Sequence, residues 1–187
     1  MKIAVYSGSF NPLHIGHLAI MKHMVEEAGY DMVYLIVSPK NPLKDGISSD
    51  SGQKRYQDAA DAIERHFGAH SCVKADNIEL TMPEPHYTIR TLDALKEREP
   101  ENEFTFIMGA DNLADIRRWR DYPRILKDYG VAVYPREGFD LEKVTNDLLT
   151  EDPTYRISIL NAPMVDISST DIREGIAAGK DMSEWLM

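Results

Sequence analysis

His14 and His17 stand three residues apart at the end of Ser7-Gly8-Ser9-Phe10-Asn11-Pro12-Leu13-His14-Ile15-Gly16-His17. An apolar run at 3–6 precedes this segment, and an amphipathic run at 18–28 follows it. A strand feeding a small-residue loop and then a helix start is a phosphate-binding arrangement. Backbone N–H groups and the positive end of the helix dipole converge on an anion there. Two imidazoles add donors where phosphoryl charge develops. Gly8 suits a close backbone approach, Pro12 stiffens the turn, and Gly16 removes a side chain where the helix begins. The competing reading is a helix-starting loop with two surface histidines.

Three other segments carry candidate chemistry. Gly109-Ala110-Asp111-Asn112-Leu113 follows a strand-like run, so Gly109 would admit a nucleotide close to the backbone. Asp111 could accept from ribose hydroxyls or cap the next helix. In Pro85-His86-Tyr87-Thr88-Ile89-Arg90-Thr91-Leu92, Thr88 opens a helix whose free N–H groups could receive a small carboxylate. Alternatively, Thr88 is a cap and Tyr87 packs on the core. Trp119, within Arg117-Arg118-Trp119-Arg120, offers a face for a heteroaromatic ring, or it is ordinary packing while the arginines solvate its surroundings. Finally, Ile167-Ser168-Ser169-Thr170-Asp171-Ile172-Arg173 places three hydroxyls at a helix start and an arginine one turn on. That is an anion nest with a planar donor, or a plain helix cap.

The histidine segment resembles the HxGH signature of the adenylyl- and cytidylyltransferase superfamily. Ile167–Arg173 resembles the ISSTxIR triphosphate-binding segment of those enzymes. Gly109–Leu113 is similar to their adenosine-binding GADxL, and 85–92 to the PxYTxxTL pattern of nicotinate mononucleotide adenylyltransferases. The resemblance spans residues 2–181. It implies ATP contacts from Gly8, Ser9, Phe10, His14, His17, Gly109, Asp111, Ile167, Ser168, Ser169 and Arg173. It implies mononucleotide contacts from Asn41, Lys44, Tyr87, Thr88, Trp119 and Arg136, with His14, His17, Lys44 and Arg173 as the catalytic set. Arg55 and Arg136 match basic positions of the family, and surface salt bridges are the alternative for both. The chain departs from the pattern where Leu43 replaces a loop histidine and where Ser7, Ser9 and Asn11 replace residues of GGTFD.

Strand-like and helix-like runs alternate along the chain. Strands are expected at 3–6, 32–37, 71–75, 104–108, 130–134 and 156–160. Helices are expected at 17–28, 53–67, 88–99 and 170–178, with short helical pieces near 112–114, 122–127 and 140–149. A long loop spans 38–52. This βα alternation predicts a single Rossmann-like α/β domain over residues 1–187, with a mostly parallel sheet and helices on both faces. Ligands would bind at the carboxyl ends of the strands.

Composition fits one globular core: 187 residues, 43% hydrophobic and 28% charged. Twenty-one basic against 31 acidic residues give a net charge of −10, which argues against a nucleic-acid partner. Cys72 is alone and reads as a buried strand thiol. There is no long apolar run for a membrane helix, and a strand begins at once without room for a signal peptide. A cytoplasmic enzyme is therefore expected. The resemblance implies ATP and nicotinate mononucleotide as substrates, with Mg²⁺ bound through their phosphates. A pantetheine-phosphate adenylyltransferase and a non-catalytic nucleotide sensor are the rival readings. Oligomeric state is left open, with a homodimer among the options.

Overall fold

A computed structural model of the chain describes residues 1–39 and 50–187. Asn41 and Lys44, two of the expected site residues, lie outside the described residues. The elements in order are β1 (Lys2–Gly8), α1 (Ile15–Glu26), β2 (Met32–Val37), α2 (Asp50–Phe67), β3 (Val73–Asp76), α3 (Ile78–Thr81) and α4 (Thr88–Arg98). They continue with β4 (Glu103–Gly109), α5 (Ala110–Ala114), α6 (Tyr122–Arg124), β5 (Val131–Tyr134), α7 (Leu141–Glu151), β6 (Ile157–Ile159) and α8 (Ser169–Ala177). Short 3₁₀ turns at Ile116–Arg118 and Ser183–Trp185 and a π turn at Ile125–Tyr129 complete the described chain.

The six strands form one sheet in the order β3-β2-β1-β4-β5-β6, every pair parallel. Strand order therefore reverses between β1 and β4, and the crevice beyond their carboxyl ends is where such sheets bind ligands. Gly8 closes β1 and Gly109 closes β4, so both flank that crevice.

Burial follows the two-residue strand period. Ile3 and Val5 of β1, with Tyr34 and Ile36 of β2, pack on one face beneath Ile89, Leu92 and Leu95 of α4 and Leu113 of α5. Ala4 and Tyr6, with Val33, Leu35 and Val37, pack on the other beneath Met21 and Met24 of α1 and Ala59 and Ile63 of α2. Both faces are covered, which is why β2 reads as an unbroken apolar run. Burying each of the larger side chains stabilises the fold by about 1.5–3 kcal/mol.

Cys72 corrects the expectation of a buried strand thiol, because it is exposed. The Ser71 hydroxyl donates to the Val73 carbonyl at 2.7 Å and accepts the Val73 N–H at 3.3 Å. That local loop turns the chain at residue 72, and β3 begins only at Val73. Among the described residues, no helix is long and apolar enough to cross a membrane.

Candidate active site

His14 is the N-cap of α1, and its neighbour three residues on completes a reciprocal cap. His14 Nδ1 accepts the Gly16 N–H at 3.1 Å, and His17 Nδ1 accepts the His14 N–H at 3.1 Å. With Nδ1 an acceptor in both rings, the neutral imidazoles carry their proton on Nε2. The Nε2–H groups are then the donors left for a ligand. The rings lie with centroids 3.7 Å apart and planes 31° apart. Gly16 is needed there, because a Cβ would meet His14 Cε1 at 2.9 Å. His14 is only 6% exposed, which removes the surface-histidine alternative for that residue.

The loop before α1 is tied down from three directions. Arg55 Nη1 of α2 donates to the Ser9 carbonyl at 2.6 Å. Arg173 Nη1 of α8 donates to the Asn11 carbonyl at 2.6 Å, and Ser169 Oγ to the Pro12 carbonyl at 2.9 Å. On the far side, His14 forms an antiparallel bridge with Leu186. Phe10 occupies the left-handed region at φ 45°, a conformation that costs a bulky residue about 1–3 kcal/mol. Its ring packs so close to Gly8 that a Cβ would sit 3.1 Å from Cζ. A side chain at position 8 would therefore crowd the Phe10 ring.

At the start of α8 the hydroxyls are already engaged. Ser168 is the N-cap, and its backbone N–H and hydroxyl both donate to Asp171 Oδ2, at 2.9 and 2.6 Å. These Ser168 bonds hold the Asp171 carboxyl below its ordinary range. Thr170 Oγ1 accepts from Arg173 Nη2 at 3.1 Å. The segment is therefore a helix cap in this structure, and one that also anchors the histidine loop.

These parts meet around one cleft of about 420 Å³. His14 and His17 line it from α1, Tyr6 from β1, Tyr134 and Arg136 from the end of β5, and Ile167, Ser168 and Ser169 from the start of α8. Behind Tyr6 and His17, Phe10 packs against both rings, its centroid 5.0 Å from that of His17, without lining the cleft itself. Burial is the main cause of depression of both imidazoles, the Arg136 charge adds to it in both, and the neighbouring His14 adds further to that of His17. His14 falls to about 4 and His17 to about 3. The cleft is therefore lined by two neutral imidazoles, the Arg136 guanidinium, and the Glu137 and Asp166 side chains at its wall. Arg136 lies over the Tyr134 ring at 5.6 Å, with Nε 3.7 Å from Asp111 Oδ1. That places Arg136 beside the histidines. Asp111 Oδ1 is buried without a hydrogen-bond partner among the described residues. Gly109 is required because a Cβ there would collide with Asp111 Oδ1 and the Tyr134 ring.

Tyr87, Thr88 and Trp119 do not line this cleft; they lie at the start of α4 and on the segment after α5. Tyr87 is the N-cap of α4 and makes no side-chain cap, so the first amides of the helix have no intrahelical acceptor. Tyr87 is 39% exposed, with the Arg120 guanidinium 5.2 Å from its ring centroid, which sets aside the core-packed reading. Trp119 is partly buried against the core, edge-on to Phe106 at 6.0 Å. Arg117 pairs with Glu151 at 2.8 Å.

Arg55, which matches a basic position of the family, is buried and bonded to carbonyls, which sets aside the surface salt bridge. Sequence reasoning missed three other contributors to this region. Glu79 sits on α3, a four-residue helix too short to show a period. Tyr6 and Tyr134 are strand-end aromatics that read as core.

A family model described as cytidylyltransferase-like matches residues 5–175. A Flavobacterium johnsoniae protein named nicotinate-nucleotide adenylyltransferase is 41% identical over 186 residues, covering 100% of this chain and 92% of the relative. A Bacteroides fragilis protein of the same name is 38% identical, covering 99% of this chain and 87% of the relative. Among solved structures, Plasmodium falciparum nicotinic acid mononucleotide adenylyltransferase complexed with NaAD superposes with a TM-score of 0.76. It is 18% identical and the match covers 98% of this chain and 87% of that one, a likeness of fold. By the family match and by identity along its whole length, the chain belongs to the cytidylyltransferase-like family and, within it, to the nicotinate-nucleotide adenylyltransferases.

Proposed function

We propose that this chain transfers the adenylyl group of ATP to nicotinate mononucleotide in NAD biosynthesis. The 5′-phosphate oxygen of the mononucleotide attacks the α-phosphorus. The bond from that phosphorus to the oxygen bridging to the β-phosphate breaks. Nicotinate adenine dinucleotide and pyrophosphate result. The observation that carries this reading is the convergence of His14, His17, Arg136, Ser168 and Ser169 on one cleft at the switch point of the sheet.

No protein nucleophile is needed, so the residues act by positioning and charge stabilisation. His17 Nε2–H donates to the α-phosphoryl oxygens as charge develops, and His14 Nε2–H to the neighbouring phosphate. Arg136 approaches the same phosphates from the β5 side. Arg173 keeps Nη1 on the Asn11 carbonyl and offers its remaining N–H donors to the triphosphate end, with Ser169 beside it. Gly8, Ser9 and Phe10 bring backbone beside the nucleotide, Ile167 contributes the apolar wall for the base, and Gly109 and Asp111 face the ribose. Lys44 and Asn41, outside the described residues, are the remaining phosphate and mononucleotide contacts in this reading. The free amides around Thr88 take the nicotinate carboxylate, with Tyr87 beside them and Trp119 against the ring.

Among the described residues, no group of three or more His, Cys, Asp or Glu side chains is arranged to hold a metal. In this reading Mg²⁺ arrives on the nucleotide, since it keeps several waters and binds through substrate phosphates. The carboxylates Glu137 and Asp166 on the cleft wall would accept hydrogen bonds from its waters. When bound, the ion neutralises charge on the departing pyrophosphate. In this reading the reaction belongs in the cytoplasm and calls for no nucleic-acid or membrane partner.

Isotopic labelling tests the bond that breaks. Label at the α-phosphorus of ATP should appear in the dinucleotide, and label at the γ-phosphorus in pyrophosphate. Label released as AMP, with no dinucleotide formed, would contradict the proposal.

A further inference from the structure

Among the described residues, Arg55 and Glu79 are the only Arg and Glu side chains buried from solvent, at 7% and 4% exposure. They lie on different elements and bond to neutral groups. Arg55 Nη1 spans two carbonyls, Ser9 at 2.6 Å and Ser38 at 2.9 Å. Glu79 Oε1 accepts from Thr91 Oγ1 at 2.8 Å and, at the longer distance of 3.5 Å, from Ser7 Oγ. Ser7 Oγ and Ser38 Oγ are 3.1 Å apart. The contacts form one chain: Thr91 in the first turns of α4, Glu79 on α3, Ser7 at the end of β1, Ser38 just past β2, Arg55 on α2, and Ser9 in the histidine loop.

Burying a charge is costly unless it is fully hydrogen-bonded, and such groups contribute little net stability compared with apolar replacements. What this chain of contacts supplies is position. One end fixes the helix whose N-terminus takes the mononucleotide. The other fixes the loop that carries His14 and His17. Both ends sit at the carboxyl edge of β1 and β2, where the two substrates must meet in line.

We infer that Arg55 and Glu79 are positioning residues that hold the mononucleotide subsite and the triphosphate loop in a common frame through Ser38 and Ser7. The inference rests on the adenylyl-transfer reading. Glu79 acts through Thr91 on α4, and Arg55 acts through the Ser9 carbonyl on the loop.

The test is steady-state kinetics with both substrates varied, on wild type, Glu79→Leu, Arg55→Met and the double variant, each checked for folding by circular dichroism. Misplacing a reacting group by about 1 Å can cost about 10²-fold. Glu79→Leu should raise KM for the mononucleotide about tenfold and leave KM for ATP nearly unchanged. Arg55→Met should lower kcat and raise KM for ATP by a similar factor. Because both variants cut one chain, their combined effect should fall short of the product of the two. If an apolar variant fails to fold, Glu79→Gln and Arg55→Lys replace it, with smaller shifts expected in the same parameters. Folded variants with wild-type kcat and KM values would overturn the inference, as would effects that multiply. Absence of turnover in wild type would instead overturn the reading beneath it.

Discussion

The Arg173 guanidinium donates to the Asn11 carbonyl oxygen at 2.6 Å, a contact that spans 162 residues of sequence. It joins the histidine loop near one end of the chain to the hydroxyl segment near the other. Ser169 repeats the connection one peptide along, at Pro12. The two motifs are therefore tied together by two hydrogen bonds, and in the proposed function Arg173 serves both the ligand and the loop.

For Arg173→Ala, two losses are expected together. A charged donor to phosphate contributes about 1.5–3 kcal/mol, so affinity for ATP should fall by about 10-fold or more. Release of the Asn11 carbonyl should also lower kcat. Titration with a non-hydrolysable ATP analogue, alongside kinetics, checks both. Unchanged affinity would leave Arg173 as a loop anchor only.

His17 combines a cap and a catalytic donor, and two substitutions separate them. His17→Ala should lower kcat by about 10²-fold and also cost about 1 kcal/mol of stability through the lost cap. His17→Asn, with its side-chain oxygen able to accept the His14 N–H, should recover stability while kcat stays low. Thermal melts and kinetics on both variants give the result. A near wild-type kcat for His17→Ala would remove His17 from the chemistry.

Stability should depend on pH through the same pair. Both imidazoles are depressed in the native state, to about 4 for His14 and about 3 for His17. The unfolded chain takes up those protons near 6.5, so below that pH it binds more protons than the native state. Stability is thus intact at neutral pH and is lost as pH falls from about 6.5 toward the folded values. Denaturant midpoints between pH 7 and 5 should drop more steeply for wild type than for a His14→Asn, His17→Asn double variant. Parallel curves would mean that the histidines are not held neutral.

Substrate choice should follow charge at the start of α4. A carboxylate receives charge-assisted bonds about twice as strong as those to a neutral amide, and the helix dipole adds about 0.3–1 kcal/mol. Nicotinate mononucleotide should be preferred over the nicotinamide form by about tenfold or more in kcat/KM. Trp119→Ala should weaken both substrates, since a ring face does not read the carboxylate. Equal efficiencies in wild type would show that the Thr88 amides do not select.

Much of this was legible in the residues. The alternation of β2 and α2 patterns is set by burial on two faces, and β2 was expected at its observed bounds, 32–37. The two motifs that frame the cleft announce themselves by small residues, hydroxyls and histidines at fixed spacing. What the sequence hid depends on contacts distant along the chain. No local pattern says that His14 caps a helix, because imidazole is an uncommon cap. Nothing near Arg55 says that it will be buried under two carbonyls, and nothing near Leu186 says that it will bridge His14. Cys72 was misplaced because a strand pattern does not reveal where Ser71 folds back on its own backbone.

The most direct measurement is pyrophosphate release with ATP, Mg²⁺ and a panel of acceptors: nicotinate mononucleotide, nicotinamide mononucleotide and phosphopantetheine. Rapid release with nicotinate mononucleotide, with the dinucleotide formed in equal amount, is the expected result. No release with any acceptor, or faster release with phosphopantetheine, would contradict it.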